Sequence, residues 1–134
     1  MIIPSHPIMA KYYTLVPLPQ GIFEGMALID RAVFGLIWER YRLSCYKVAG
    51  GCEDWVDDED GSVFCIFSHA EMAAQIGTSE KTIRRSLQVL RDEHCLIDWR
   101  KASFKGACRY YIEPAASEYM ASLRQDNTSV SDCP

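Results

Sequence analysis

The spacing of apolar residues changes several times along this chain, and each change marks an element. Residues 11–20 set Tyr12, Tyr13, Leu15, Val16 and Leu18 beside Pro17 and Pro19. Proline fixes φ and removes a backbone donor, so the stretch is predicted to be an extended arm and not a helix. From about 28 to 43 the period becomes helical, with Val33, Leu36, Ile37 and Tyr41 on one side and Asp30 placed to cap the start. Gly35 inside this helix costs about 1 kcal/mol of helix propensity and is expected to permit close packing. Residues 47–61 carry Gly50, Gly51, Gly61 and an acidic run, the composition of a loop or irregular hairpin, and a short β-prone run follows at 63–67.

Ser68 with Glu71 three residues later forms the pattern that satisfies free N–H groups at a helix start. The helix it opens buries Met72, Ala73 and Ile76, and Gly77 breaks it. Ser79 then caps a third helix reaching about Glu93, with Ile83, Leu87 and Leu90 on one side and Lys81, Arg85, Gln88 and Asp92 opposite. Residues 96–100 and 108–112 are β-prone runs joined by a basic, Gly106-containing tip. Pro114 starts a last short helix ending near Leu123, and the small polar residues beyond Gln125 suit a disordered tail or the start of a linker. The expected layout is a flexible N-terminus at 1–10, one domain at 11–124 and a tail at 125–134. Two helices joined by a tight glycine turn and followed by a two-stranded hairpin make an α+β winged helix-turn-helix, a three-helix core with a β-hairpin wing and an extended N-terminal arm.

Composition narrows the function classes. With 134 residues and 49% hydrophobic content the chain can fill one core. Charge interrupts every apolar run short of the roughly 20 residues a spanning helix needs. The first ten residues lack the basic start and apolar stretch of a secretion signal, so the expected location is the cytoplasm. The six cysteines have neither disulfide nor zinc spacing, and Cys65, Cys95 and Cys108 sit in apolar runs as small hydrophobes. The acidic run resembles a calcium loop only superficially: with Gly61 as the loop glycine, the first and last ligand positions fall on Val56 and Phe67. His6, His69 and His94 have no partner at a diagnostic spacing, and no glycine-rich phosphate loop occurs. No metal, no cofactor and no enzymatic activity is therefore expected.

The net charge of −4 hides a division along the chain. Glu53, Asp54, Asp57, Asp58, Glu59 and Asp60 crowd one segment, whereas Lys81, Arg84, Arg85, Arg91, Arg100, Lys101, Lys105 and Arg109 dominate the region from 79 to 109. Such asymmetry is the footprint of a protein that meets phosphate with one face. The N-terminal half of the third helix would enter a major groove with Lys81, Thr82, Arg84 and Arg85, flanked by Ser79 and Gln88. Arg85 is the preferred base reader because arginine can donate two bonds to guanine, although a small helix rotation exchanges it with Arg84. Arg100, Lys101 and Lys105 would reach backbone or minor groove from the wing. The competing view is that these charges only solvate the helix, on a winged helix used for protein contact.

Four blocks in order resemble the N-terminal domain of the plasmid replication initiator protein A family of Gram-positive bacteria. They are Lys11-Tyr12-Tyr13 with Leu15 and Pro17; residues 39–44; Trp55 through Gly61 continuing into 63–68; and Glu71 through Gly77 with Ser79, Lys81, Thr82 and 87–97. The third block, Trp55 to Ser68, is much more specific than the helix-turn-helix and separates an initiator from a generic repressor of the same fold, the principal rival. The wing tip, Phe104-Lys105-Gly106-Ala107-Cys108, departs from the family form. The resemblance implies a domain that binds repeated origin sites in double-stranded DNA as a homodimer. It also implies that a separate C-terminal domain, absent from this chain, engages replication proteins. Tyr12, Tyr13 and Leu15 are the expected dimer arm.

Overall fold

The computed structural model describes residues 15–101 and 108–132, with side chains through 100 and from 108 to 123. The first long helix, α1, spans Leu28–Ala49, six residues beyond the predicted end. It stops where Gly50 and Gly51 follow, Gly51 at φ +102°. The N-cap position falls on Ala27, which makes no side-chain cap, and this corrects the role expected of Asp30. Asp30 lies inside the first turn, buried, and its Oδ1 accepts a 2.6 Å bond from the Ser86 hydroxyl. Gly35 has the predicted reason: a Cβ there would sit 2.6 Å from the Leu15 carbonyl oxygen of the crossing N-terminal segment. Arg31 fixes the same segment by donating to the Pro17 carbonyl at 3.0 Å.

After α1 the chain forms an irregular hairpin, with a bridge between Val56 and Val63 and the Asp57 N–H bonded to the Ser62 carbonyl at 2.8 Å. It leads into strand β1, Cys65–Ile66. Helix α2 is His69–Ile76, opened by the Ser68 hydroxyl accepting from the Glu71 N–H at 3.0 Å. Gly77 at φ +86° is the tight turn, a left-handed conformation that glycine adopts without a Cβ penalty. Helix α3 is Glu80–Gln88, with the Ser79 hydroxyl accepting from the Thr82 N–H at 3.2 Å. It continues as a π-helical turn, Val89–Glu93. There the Leu96 N–H reaches back to the Leu90 carbonyl at 3.0 Å, around Cys95 at φ 55°.

Strands β2, Ile97–Lys101, and β3, Cys108–Ile112, pair antiparallel, and β1 joins the other side of β3. The final helix, α4, runs Pro114–Asp132, past the predicted end at Leu123 and through the segment read as a tail. No glycine or proline occurs between 115 and 132 to stop it.

The core gathers Val33, Phe34 and Ile37 of α1, Met72 of α2, Ile83 and Leu87 of α3, Leu90, and Cys65, Ile97 and Tyr110 of the sheet, all essentially buried. Ala116 closes it from α4. Period-two alternation sends Ile97, Tyr110 and Ile112 inward and Asp98, Arg100, Arg109 and Tyr111 to the other face of the sheet. The 55–64 hairpin covers that second face. The chain is thus an α+β winged helix-turn-helix in which α1 to α3 form the helical core and β2–β3 the wing.

Candidate nucleic-acid interface

The position of α3 is fixed from its inner side. Ile83 and Leu87 are buried, and Ser86, 2% exposed, ties the helix to α1 through Asp30. That leaves Lys81, Arg84, Arg85 and Gln88 exposed on the opposite side, as the periodicity predicts. Arg84 faces Glu80 one turn earlier at 4.0 Å, an exposed pair worth a few tenths of a kcal/mol. Among the described residues no carboxylate pairs with Lys81 or Arg85. Burial, then the Arg84 guanidinium, holds His69 below its ordinary pKa. The Thr82 hydroxyl lies 3.1 Å from the Ser79 hydroxyl, which itself accepts the capping bond from the Thr82 N–H, so both belong to the helix cap.

The wing is arranged differently from its sequence reading. Lys105 lies outside the described residues, as does the side chain of Lys101. Arg100 is described, and its guanidinium is already engaged. Nη1 donates to Asp57 Oδ2 at 2.9 Å and Nη2 to Asp60 Oδ2 at 3.0 Å, and the plane lies 4.3 Å over the Tyr111 ring. Asp57 also accepts a 2.6 Å bond from the Tyr111 hydroxyl and a 2.8 Å bond from the Glu59 N–H, with Arg109 Nη1 at 3.9 Å. Arg109 packs over Phe64. The aromatic series Trp55, Phe64 and Tyr111 runs beneath these groups with ring centroids about 6 Å apart, so Trp55 anchors the hairpin.

Asp57, Tyr111 and Arg109 are the residues the sequence reading missed. The strand register in the folded sheet brings them together: Arg100 stands directly opposite Arg109 on β3. Like charges facing each other across a strand pair repel, so an anion is required near them, and Asp57 supplies it. The Tyr111 hydrogen bond first, then the Glu59 N–H, holds the Asp57 carboxyl below its ordinary pKa. The Ser62 N–H and then Arg100 do the same for Asp60. Burial, then the bond to Asp57, raises Tyr111. Two carboxylates of the acidic run, Asp57 and Asp60, therefore clamp the hairpin to the wing sheet.

Of the dimer arm, Tyr12 and Tyr13 fall outside the described residues, and Leu15 is 81% exposed where the segment crosses α1. The five described cysteines are unpaired, and burial pushes the Cys65 thiol up to about 12. Among the described residues no group of three His, Cys, Asp or Glu side chains could hold a metal ion. No described helix is long and apolar enough to cross a membrane.

No protein-family model and no curated protein sequence matches the chain. Its fold does have solved counterparts. A structure described as the N-terminal domain of a DNA binding protein matches with TM-score 0.54 and 13% identity, over 95% of this chain and 96% of that one. A structure of an MDR initiator matches with TM-score 0.55 and 14% identity, over 93% of this chain and 98% of that one. A Rep–DNA complex matches with TM-score 0.54 and 11% identity, over 95% and 97%. At such identities the likeness establishes the fold, over nearly the whole length of each chain.

Proposed function

We propose that this chain is the duplex-binding domain of a plasmid replication initiator and reads DNA with the N-terminal half of α3. The observation that carries the reading is the pair Lys81 and Arg85. Both are exposed and face no carboxylate among the described residues, on a helix whose other side is locked into the core by Ile83, Leu87 and the Ser86–Asp30 bond. The initiator resemblance and the shared fold, including that of a Rep–DNA complex, support it. Arg85 is the base reader, Lys81 a phosphate contact, and Arg84, partly engaged by Glu80, a secondary one. In this reading the protein is a binding module and not an enzyme, acts in the bacterial cytoplasm, and pairs through the arm at residues 12–15 to cover repeated origin sites. Replication proteins would be engaged through a further domain.

Fluorescence anisotropy with origin-repeat and random duplexes tests this. If about 8 phosphates are neutralised per dimer, affinity drops roughly a thousandfold or more between 50 and 200 mM salt. Arg85→Ala should cost about 1–3 kcal/mol and relax preference at one base position, whereas Lys81→Ala should weaken every sequence alike. No binding to any duplex at 50 mM salt would refute the proposal and favour a protein-contact role. Footprints on origin repeats beside the gene separate an initiator from a repressor.

A further inference from the structure

The guanidinium of Arg100 has two edges in unlike settings. One is held by Asp57, whose side chain is only 7% exposed and is bonded independently to Tyr111 and the Glu59 N–H. The other is held by Asp60 alone, 43% exposed, at the outer turn of the hairpin just before Gly61 at φ +75°. Arg100 stands one residue pair from the end of the described wing, with only Lys101 and Cys108 beyond it. A carboxylate on a guanidinium edge makes the same charge-assisted, fork-shaped contact that a phosphodiester makes. We propose that Asp60 is an internal competitor for Arg100: in the DNA-free protein it occupies the guanidinium edge that a backbone phosphate takes once the duplex has docked on α3.

This inference rests on the duplex-binding reading and deepens it. Asp57 keeps Arg100 in place in both states, so the wing sheet stays formed while one contact is exchanged. An exposed ion pair holds its partner by a factor of at most about five, weak enough to yield to a phosphate lined up by the docked helix. The expected consequence is selectivity. Encounters that engage α3 poorly leave Asp60 in place and forgo the wing contact, whereas well-seated sites gain it.

The test is a cycle of Asp60→Asn and Arg100→Gln, with Asp58→Asn as control, measured by anisotropy on random duplex. Asparagine at 60 keeps an acceptor for the Ser62 N–H, so the turn is preserved. Asp58 is exposed and carries the same charge on the same hairpin, with no bond to Arg100 among the described contacts. Asp60→Asn should tighten binding about two- to fivefold, the strength of an exposed pair. Asp58→Asn should tighten it less, through net charge alone. In the Arg100→Gln background the Asp60→Asn gain should shrink to the Asp58→Asn level, and on origin-repeat duplex, where the wing contact is made, Arg100→Gln alone should lower the salt slope by about 0.9. Thermal unfolding of each variant establishes that the hairpin remains clamped, and Arg100→Lys, which keeps the charge, should retain most of the slope. Equal gains from Asp60→Asn with and without Arg100, or an unchanged slope in Arg100→Gln, would overturn the competitor while leaving duplex binding intact. Failure of the wild-type protein itself to bind would overturn both.

Discussion

Replacing Ser86 by alanine probes how α3 is held. The Ser86 hydroxyl is 2% exposed and donates at 2.6 Å to a carboxylate of Asp30 that is itself 8% exposed. A hydrogen bond to a charged group contributes about 1.5–3 kcal/mol, and its loss leaves the acceptor without that donor. Asp30 sits in the first turn of α1, where free N–H groups and the helix dipole favour a negative charge by about 0.3–1 kcal/mol, so part of the loss is offset. The expected cost of Ser86→Ala is therefore about 1–2 kcal/mol, or some 3–8 °C in Tm for a chain of this size. Urea denaturation of Ser86→Ala, Asp30→Ala and the double variant gives the coupling between them. The structure requires a coupling of about 1 kcal/mol or more between residues 56 apart in sequence. Were Asp30 a simple helix cap, the two effects would add. Additive losses, or a Ser86→Ala variant within about 0.3 kcal/mol of wild type, would refute the staple and with it the account of how α3 is oriented.

Three further perturbations address other parts of the fold. Asp57 and Asp60 both have lowered folded pKa values, so their stabilisation is present above the unfolded carboxylate value of about 4 and is lost as pH falls through the folded values. Asp57→Asn should therefore flatten the decline in Tm on acidification from pH 6 to 3, and acid limbs that superimpose on wild type would contradict the clamp. Cys95 occupies a left-handed position at φ 55°, where an L side chain costs about 1–2 kcal/mol, so Cys95→Gly should raise the urea midpoint despite its entropy cost, and Cys95→Val should lower it. Gly35→Ala would place a methyl 2.6 Å from the Leu15 carbonyl, so hydrogen exchange or limited proteolysis should show residues 15–17 lifting from α1; unchanged protection there would exclude the close approach.

Much of the helix-turn-helix could be read directly because its determinants are local. The hydroxyls of Ser68 and Ser79 bond N–H groups three residues away, Gly77 takes a left-handed turn that other residues resist, and Ile83 and Leu87 recur with the helical period. Those relations span fewer than about five residues, so a pattern along the chain contains them whole. The ends of α1 and α4 were harder to place because no glycine or proline interrupts residues 44–49 or 115–132, and low-propensity residues such as Ser, Thr, Asn and Val do not by themselves stop a helix.

Side-chain partnership lay beyond such patterns. Asp30 resembles a cap by position, yet its partner is Ser86, on a helix that only the folded chain brings near. Arg100 counts as a wing cation by composition, yet its guanidinium meets carboxylates 43 and 40 residues upstream. The sequence by itself determined an amphipathic α3 with a cationic outer edge, the glycine turn before it and a two-stranded hairpin after it, because helical and strand periods express only the geometry of neighbouring residues. Tertiary structure decided which cations stay free, leaving Lys81 and Arg85 without a described carboxylate while Arg100 and Arg109 are gathered around Asp57, because charge pairing depends on distances in space that chain order does not encode.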